Sequence, residues 1–432
     1  MRRTKFNLST PNSEIWKKAV KLTAAYLNGN VKANRLLDSL ESKISAGERA
    51  MCQALFLGAL RNGHRINAVL QPFIQRKLLS SAQAIVLVAG YELLSSSPEK
   101  APKIVHHAVE SSKQMVRKSQ TKLLNALLRR LPEALNTVHP DNRPDHFFSH
   151  PRWLFKRWNS QFGLPATIEL MRWNQQIPTI YLKFYQTPEV PPKGLEPTKW
   201  SNFYRVTTDA SWQHDIAPLL NKGNVYVKDP STHLAPQLLK PLSGEQVLDL
   251  CAAPGGKTYD LAHQMSLKGH LVAVDLPGDR TERLRENLTV LTHTELHCSI
   301  LEADLAHIRG KDFVEKQLPT SYDAVMLDAP CSNTGVIQRR ADVKWRLKPK
   351  DINRCTDLQN KLIAAAARFV RPGGRLVYST CSIDPDENQT VVDTFLNSPS
   401  GRRFVLNKSI ISLPWKTGHD GASAFLLVAN KQ

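Results

Sequence analysis

From residue 246 onward the chain alternates short β-branched runs with helical stretches, a pattern that few folds can accommodate. The runs are "QVLDL" (246–250), "LVAVD" (271–275), "DAVMLD" (323–328) and "GRLVYST" (374–380). Between them lie "GKTYDLAHQM", "RTERLRENLTVL" and "LQNKLIAAAARFV". Strands apolar on both faces need helices on both sides, so the pattern predicts a parallel, Rossmann-like α/β sheet. Ligands in such sheets bind outside the carboxyl ends of the strands. Chemistry is therefore expected at the strand tips.

The first 135 residues read differently. In "SEIWKKAVKLTAAYLNG", Ser13 is placed to cap a helix that ends at Gly29, and Trp16, Ala19, Val20, Ala24 and Leu27 recur at helical spacing. Near the end of the region Leu123, Leu127, Leu128 and Leu131 make another apolar stripe. An all-helical domain is expected over 1–137. A Pro/Asp/Asn break, "NTVHPDNRPDHF", follows, and then a helix carrying Arg152, Trp153, Lys156, Arg157 and Trp158. That mixture suits either base stacking with phosphate contact or docking on a neighbour. A linker and small α+β subdomain is expected over 138–240, and the α/β domain over 241–432.

Charge is uneven. The chain carries +20, and residues 1–140 hold 22 Lys and Arg against 8 Asp and Glu, whereas residues 241–432 hold 24 against 22. A basic front end on a neutral back end points to a polyanion partner, most simply nucleic acid. The apolar run "AIVLVAGY" (84–91) is too short to span a bilayer, and the basic start has no apolar segment behind it. Cys52, Cys251, Cys298, Cys331, Cys355 and Cys381 form no CxxC pair, so neither a metal site nor a disulfide framework is expected. A cytoplasmic monomer without membrane attachment fits these observations.

The segment "LDLCAAPGGKT" (248–258) nearly matches a triphosphate-binding loop. The first glycine of that loop would fall at position 251, which is Cys251. Twenty residues after Gly255 a predicted strand ends in Asp275, placed to accept the hydroxyls of an adenosine ribose. The turn therefore suits an adenine cofactor rather than a triphosphate. A nucleic-acid-stimulated ATPase, with Asp328 holding Mg²⁺, is the disfavoured alternative. "DAPCSNTG" puts Cys331 three residues after Asp328, and "YSTCS" puts Cys381 at the next strand tip. Two cysteines at neighbouring tips of one sheet would face one pocket.

"DLCAAPGGKT", "DAPCSNTGVIQRRADVKW" and "YSTCSIDPDEN" resemble the signature motifs of RNA cytosine-5 methyltransferases that use S-adenosylmethionine. The subgroup most similar acts on small-subunit (16S) ribosomal RNA and has a NusB-like helical front domain, and "VYVKDPSTHLAPQLL" (225–239) resembles its lead-in to the catalytic domain. The resemblance implies a NusB-like RNA-binding domain followed by a class I methyltransferase domain. It implies Cys381 as nucleophile, Cys331 in proton removal or enzyme release, and Asp328 on the cytosine edge. It places the cofactor against Cys251, Ala252, Ala253, Pro254, Gly255, Gly256, Lys257, Asp275, Asp304 and Asp328. The chemistry needs a thiolate because carbon 5 of cytosine is a poor nucleophile until carbon 6 is attacked. Arg339, Arg340, Lys344 and Trp345 follow the Cys331 loop and are expected to guide RNA. A transfer-RNA methyltransferase and a non-catalytic RNA-binding assembly factor are the alternative readings.

Overall fold

A computed structural model describes residues 13–29, 31–40, 44–221 and 223–431, so the basic start of the chain lies outside the described residues. The chain divides into two units, one of residues 1–176 with 337–347, the other of 177–336 with 348–432. The division differs from the expected one in three ways. The 177–240 part of the expected separate subdomain belongs to the second unit. The helices after the 136–147 break belong to the first unit, and an eleven-residue stretch from beyond the Cys331 loop joins them.

The first unit is helical. Its longest helix, Ala46–Leu70, starts with a capping box in which Ser45 and Glu48 satisfy each other's backbone N–H. Helix Ser13–Asn28 buries Ile15, Trp16, Ala19, Val20, Thr23 and Tyr26. Thr23 is tolerated inside because its hydroxyl donates to the Ala19 carbonyl at 2.8 Å. In helix Lys118–Ala134 the inward leucine is Leu124, while Leu123, expected inside, is 41% exposed. Leu124, Leu127, Leu128 and Leu131 follow the i, i+3, i+4, i+7 spacing more closely than the set containing Leu123. Trp158 is fully buried with its ring edge-on to His150, so docking is the role of that residue.

The stretch 337–347 corrects the expectation that Lys344 and Trp345 meet RNA. Lys344 is 1% exposed, and its ammonium donates to the carbonyls of Arg61 at 2.7 Å and Ser149 at 2.8 Å. Trp345 stacks on His64 with ring centroids 4.6 Å apart and donates to the Leu60 carbonyl. A Cβ at Gly63 would come within 2.2 Å of the Trp345 ring, so the helix must be bare there. A basic, aromatic segment is expected to meet RNA, but its lysine stem and aromatic ring carry enough apolar area to pack inside the helical unit instead.

Burial, with the Lys344 charge, pushes His64 down to about 4, and burial holds His150 well below its usual range. The unfolded chain takes up protons on both near pH 6.5, where the folded unit refuses them. The contribution of these two histidines to stability is therefore complete above pH 6.5 and falls as pH drops towards 4, while the buried Glu92 carboxyl, raised by burial to about 7, works in the opposite direction over the same range. In thermal melts across this range His64→Gln should lose less stability than the wild type as pH falls from 6.5 to 4. An unchanged slope in the variant would put the titration elsewhere.

The second unit holds two sheets. A small antiparallel one contains β1 (Tyr181–Phe184), β2 (Leu195–Pro197), β3 (Phe203–Val206) and β4 (Val225–Val227), in the order β2-β3-β1-β4. The larger contains β5 (Gln246–Leu250), β6 (Gly269–Asp275), β7 (Leu296–Glu302), β8 (Tyr322–Asp328), β9 (Val370–Thr380), β10 (Phe404–Ser412) and β11 (Ala422–Ala429). Its order is β10-β11-β9-β8-β5-β6-β7. Strands β5 to β9 pair in parallel, and β11 enters antiparallel between β9 and β10. Period-2 alternation sorts the core. Leu248, Val272, Val325 and Leu376 face one side, and Val247, Leu271, Ala324 and Val377 the other. The order reverses between β5 and β8, so the crevice lies at their carboxyl ends. Among the described residues no helix is long and apolar enough to cross a membrane.

Candidate active site

The turn after β5 is shaped by backbone requirements. Cys251 sits at φ +60° and Gly255 at φ +100°. A Cβ on Gly255 would lie 2.8 Å from Leu284 Cδ1, so glycine is needed for both conformation and space. The turn is held against the tip of β6. The backbone N–H of Ala253 donates to Asp275 Oδ2, and that of Leu276 to Asp275 Oδ1, each at 2.8 Å. Arg280 bonds the Ala253 carbonyl, and Asn287 donates to the Pro254 carbonyl at 2.7 Å. Asp304, just past β7, accepts from Ala306 N–H at 2.9 Å and pairs with His307 at 2.8 Å. Those partners hold its carboxyl below the usual range, and its side chain stays 47% exposed.

Helix Gly256–Gln264 starts at the end of this turn, and its first residues are tied down one after another. Lys257 pairs with Asp328, at the tip of β8, at 2.6 Å. Burial opposes the charge on Lys257, but Asp328 and Cys381 outweigh it and hold the ammonium above its usual range. Thr258 donates at 2.6 Å to Asp249, whose full burial pushes its carboxyl up to about 7. Ser379 donates to the other side of Asp328, at Oδ1, at 3.1 Å.

The two cysteines meet. Cys331 Sγ and Cys381 Sγ lie 3.3 Å apart, and Asn333 Oδ1 is 3.4 Å from Cys381 Sγ. The hydrogen bond to Cys381, together with burial, holds Cys331 well above the ordinary thiol range. Their loops are fastened by a buried polar knot. Glu387 accepts from Ser332 N–H at 2.8 Å, Ser382 hydroxyl at 2.6 Å, Gln359 amide at 3.1 Å and the Ser332 hydroxyl. Gly335 N–H donates to the Cys381 carbonyl at 3.0 Å, and a Cβ there would strike that carbonyl at 2.8 Å. The loops therefore approach backbone to backbone.

A thiol pair, a Lys–Asp pair and an acidic strand tip beside a glycine turn can activate a nucleophile and hold a cationic or ribose-bearing group. Known proteins decide the family. A model of 16S rRNA methyltransferase RsmB/F matches residues 236–412, and a model of the NusB family matches 16–133. The ribosomal RNA small subunit methyltransferase B of Proteus mirabilis is 30% identical over 402 residues, covering 88% of this chain and 90% of that one. The chain belongs to the RsmB/F family of 16S rRNA methyltransferases. The solved structure of PH0851 superposes with a TM-score of 0.75 at 24% identity, covering 95% of this chain and 98% of that one. NSun6 from Pyrococcus horikoshii, solved with SFG, gives 0.54 at 18% identity over 65% of this chain and 99% of its own. Both share the fold.

In this RsmB/F chain the predicted residues Cys251 to Lys257, Asp275, Asp328, Cys331 and Cys381 gather around the tips of β5, β6, β8 and β9. Asp304 lies beyond β7, next in order after β6, and its main chain follows the Ala303 N–H bond to the Asp275 carbonyl at 3.0 Å. Arg339 and Arg340 fall in the stretch that joins the helical unit. Sequence reasoning missed Glu387, Asp249, Lys228 and Asp260. Glu387 stands in the quoted "DPDEN", where acidic residues read as an exposed turn. Nothing local marks any of the four as buried.

Proposed function

We propose that this chain transfers a methyl group from S-adenosylmethionine to carbon 5 of a cytosine in 16S ribosomal RNA, through a covalent bond from Cys381 Sγ to carbon 6. The observation that carries the reading is the 3.3 Å approach of Cys331 Sγ to Cys381 Sγ beside the Lys257–Asp328 pair. The family membership, the relative named for ribosomal RNA and the SFG-containing structure support the substrate and cofactor classes.

The residues fit the cofactor. Asp275 keeps carboxylate lone pairs beyond its two backbone donors, suited to ribose hydroxyls, and carboxylates at successive strand ends suit a sulfonium cation. Residues 251–257 would line the methionine side, and Asp304 would take the adenine amino group. When bound, S-adenosylmethionine supplies an electrophilic methyl group. The protein does the rest. Cys331 stays protonated and donates toward Cys381, and the Lys257 charge lies close by, so both favour the Cys381 thiolate. That thiolate adds to carbon 6, and the ring electrons reach carbon 5. Asp328, ion-paired with Lys257, accepts a hydrogen bond from the cytosine amino group and orients the base edge. After methylation the carbon 5 proton leaves to water, steered by the protonated Cys331 thiol beside the base, and the Cys381–carbon 6 bond breaks, restoring the aromatic ring and the Cys381 thiolate.

A trapping assay tests this. 16S ribosomal RNA containing 5-fluorocytosine, mixed with protein and S-adenosylmethionine, should give a stable adduct on the peptide bearing Cys381, because fluorine cannot leave as a proton does. An adduct on Cys331 would reverse the thiol roles. No adduct despite RNA binding would remove the cytosine-5 chemistry on that RNA and bring transfer RNA forward. The basic front end and Arg339 and Arg340 are proposed to hold phosphates. RNA affinity should then fall steeply between 50 and 200 mM salt, by about 10³-fold if some six phosphates are contacted. A flat salt profile in a filter-binding titration would sink that part.

A further inference from the structure

Lys228 has no role in the chemistry above, yet it is among the most committed side chains in the second unit. It follows β4, in the region expected to be a linker and small subdomain. Its side chain is 8% exposed, and its ammonium lies 2.5 Å from Asp260 Oδ2. It also donates to the Gly256 carbonyl, and it lies 3.3 Å from the Tyr185 hydroxyl. Gly256 and Asp260 are four residues apart on helix Gly256–Gln264, so one ammonium spans its first turn. The Tyr185 hydroxyl, just past β1, donates to the other oxygen of Asp260. The Tyr185 ring stacks on His263 at 4.2 Å and meets Tyr259 edge-on at 4.8 Å. His233 Nδ1 stands 3.3 Å from Asp260 Oδ2.

The charges here are buried, so their pairing is not a surface ornament. Burial alone would raise Asp260, but Lys228 and His233 hold it well below the usual carboxylate range. Lys228 is itself drawn down by burial against the pull of Asp260. A lone buried charge is costly, and removing one partner exposes that cost. The same helix turn carries Lys257 on Asp328 and Thr258 on Asp249. Three consecutive residues, Gly256, Lys257 and Thr258, are thus each fixed by a different element.

We propose that Lys228, with Asp260 and Tyr185, is a positioning clamp through which the small sheet fixes the first helical turn and hence the cofactor-binding turn 251–257. The clamp touches neither the reacting base nor the transferred methyl. It sets where the turn's backbone groups point, and a displacement of about 1 Å in such a group weakens binding severely. The inference rests on the reading of that turn as the S-adenosylmethionine site.

The test is direct binding of S-adenosylmethionine by calorimetry to the full chain without RNA, alongside methyl-transfer kinetics. Lys228→Met should raise the dissociation constant about tenfold. KM for S-adenosylmethionine should rise in step, while kcat at saturation and RNA affinity stay within about twofold. The double variant Lys228→Met/Asp260→Asn removes the stranded charge and should fold, with the cofactor affinity still weakened. Tyr185→Phe leaves both charges paired and should weaken binding about threefold; it decides if the charge variants fail to fold. Folded variants that bind the cofactor as the wild type does would overturn the clamp. A fall in kcat with unchanged KM would also overturn it. Wild-type protein that binds no S-adenosylmethionine would instead fail the functional reading itself.

Discussion

Cys381→Ala should abolish methyl transfer, with kcat/KM expected to fall by about 10⁴-fold or more, while S-adenosylmethionine should still bind. The size follows from losing a covalent nucleophile rather than a binding contact. Without an adduct at carbon 6, carbon 5 of cytosine has no electrons to offer the methyl group. Cofactor binding survives because the turn is held by Asp275, Arg280 and Asn287, none of which bonds Cys381. Cys331→Ala should behave differently. The Cys381 thiolate would still add, but release would slow, so protein linked to RNA should accumulate on a denaturing gel. Tritium transfer from labelled S-adenosylmethionine measures the first effect. Activity in Cys381→Ala within tenfold of wild type would remove Cys381 from the nucleophile's role.

Glu387→Ala destabilises the second unit by about 3–5 kcal/mol. The carboxyl is fully buried and accepts from four groups, one backbone N–H, two hydroxyls and one amide. Truncation leaves those donors unpaired and opens a cavity among them. Burial, opposed by those hydrogen bonds, raises the Glu387 carboxyl. Glu387→Gln therefore costs much less, about 1 kcal/mol, since its oxygen can keep two donors and the serine hydroxyls can turn round to accept. Both cysteine loops hang on this residue through Ser332 and Ser382. Glu387→Ala should then lose methyl transfer at temperatures where it is still folded. Urea unfolding curves give the stability change. A loss under 1 kcal/mol for alanine, or an equal loss for glutamine, would show that the knot is not what holds the loops.

Much of this was written locally. The strands at 246–250, 271–275 and 323–328 stand where their apolar runs stand, because a strand buried on both faces must be apolar throughout. The turn 251–257 was legible because its glycines and the Asp275 spacing answer to backbone geometry. Strand β10 was not, since it is an edge strand with most residues exposed and so lacks a hydrophobic period. The expected strand at 374–380 starts earlier, at Val370, with a register shift against β8 near Tyr322 and Ala324. Propensity places such ends poorly where Pro and Gly lie within the run.

The sequence by itself determined the fold class, the helical front domain and the two cysteines at neighbouring strand tips. Each follows from periodicity or from a motif within about a dozen residues. Only the tertiary structure decided that Lys344 is buried and Trp345 packed against His64, that Glu387 ties the cysteine loops together, and that Lys228 and Asp260 pair 32 positions apart. The reason is electrostatic. A Lys or Glu carries no local mark of burial, because its charge is expensive inside unless a partner from a distant element arrives with it. Those partners are chosen by the packing, and one residue's neighbours in sequence do not name them.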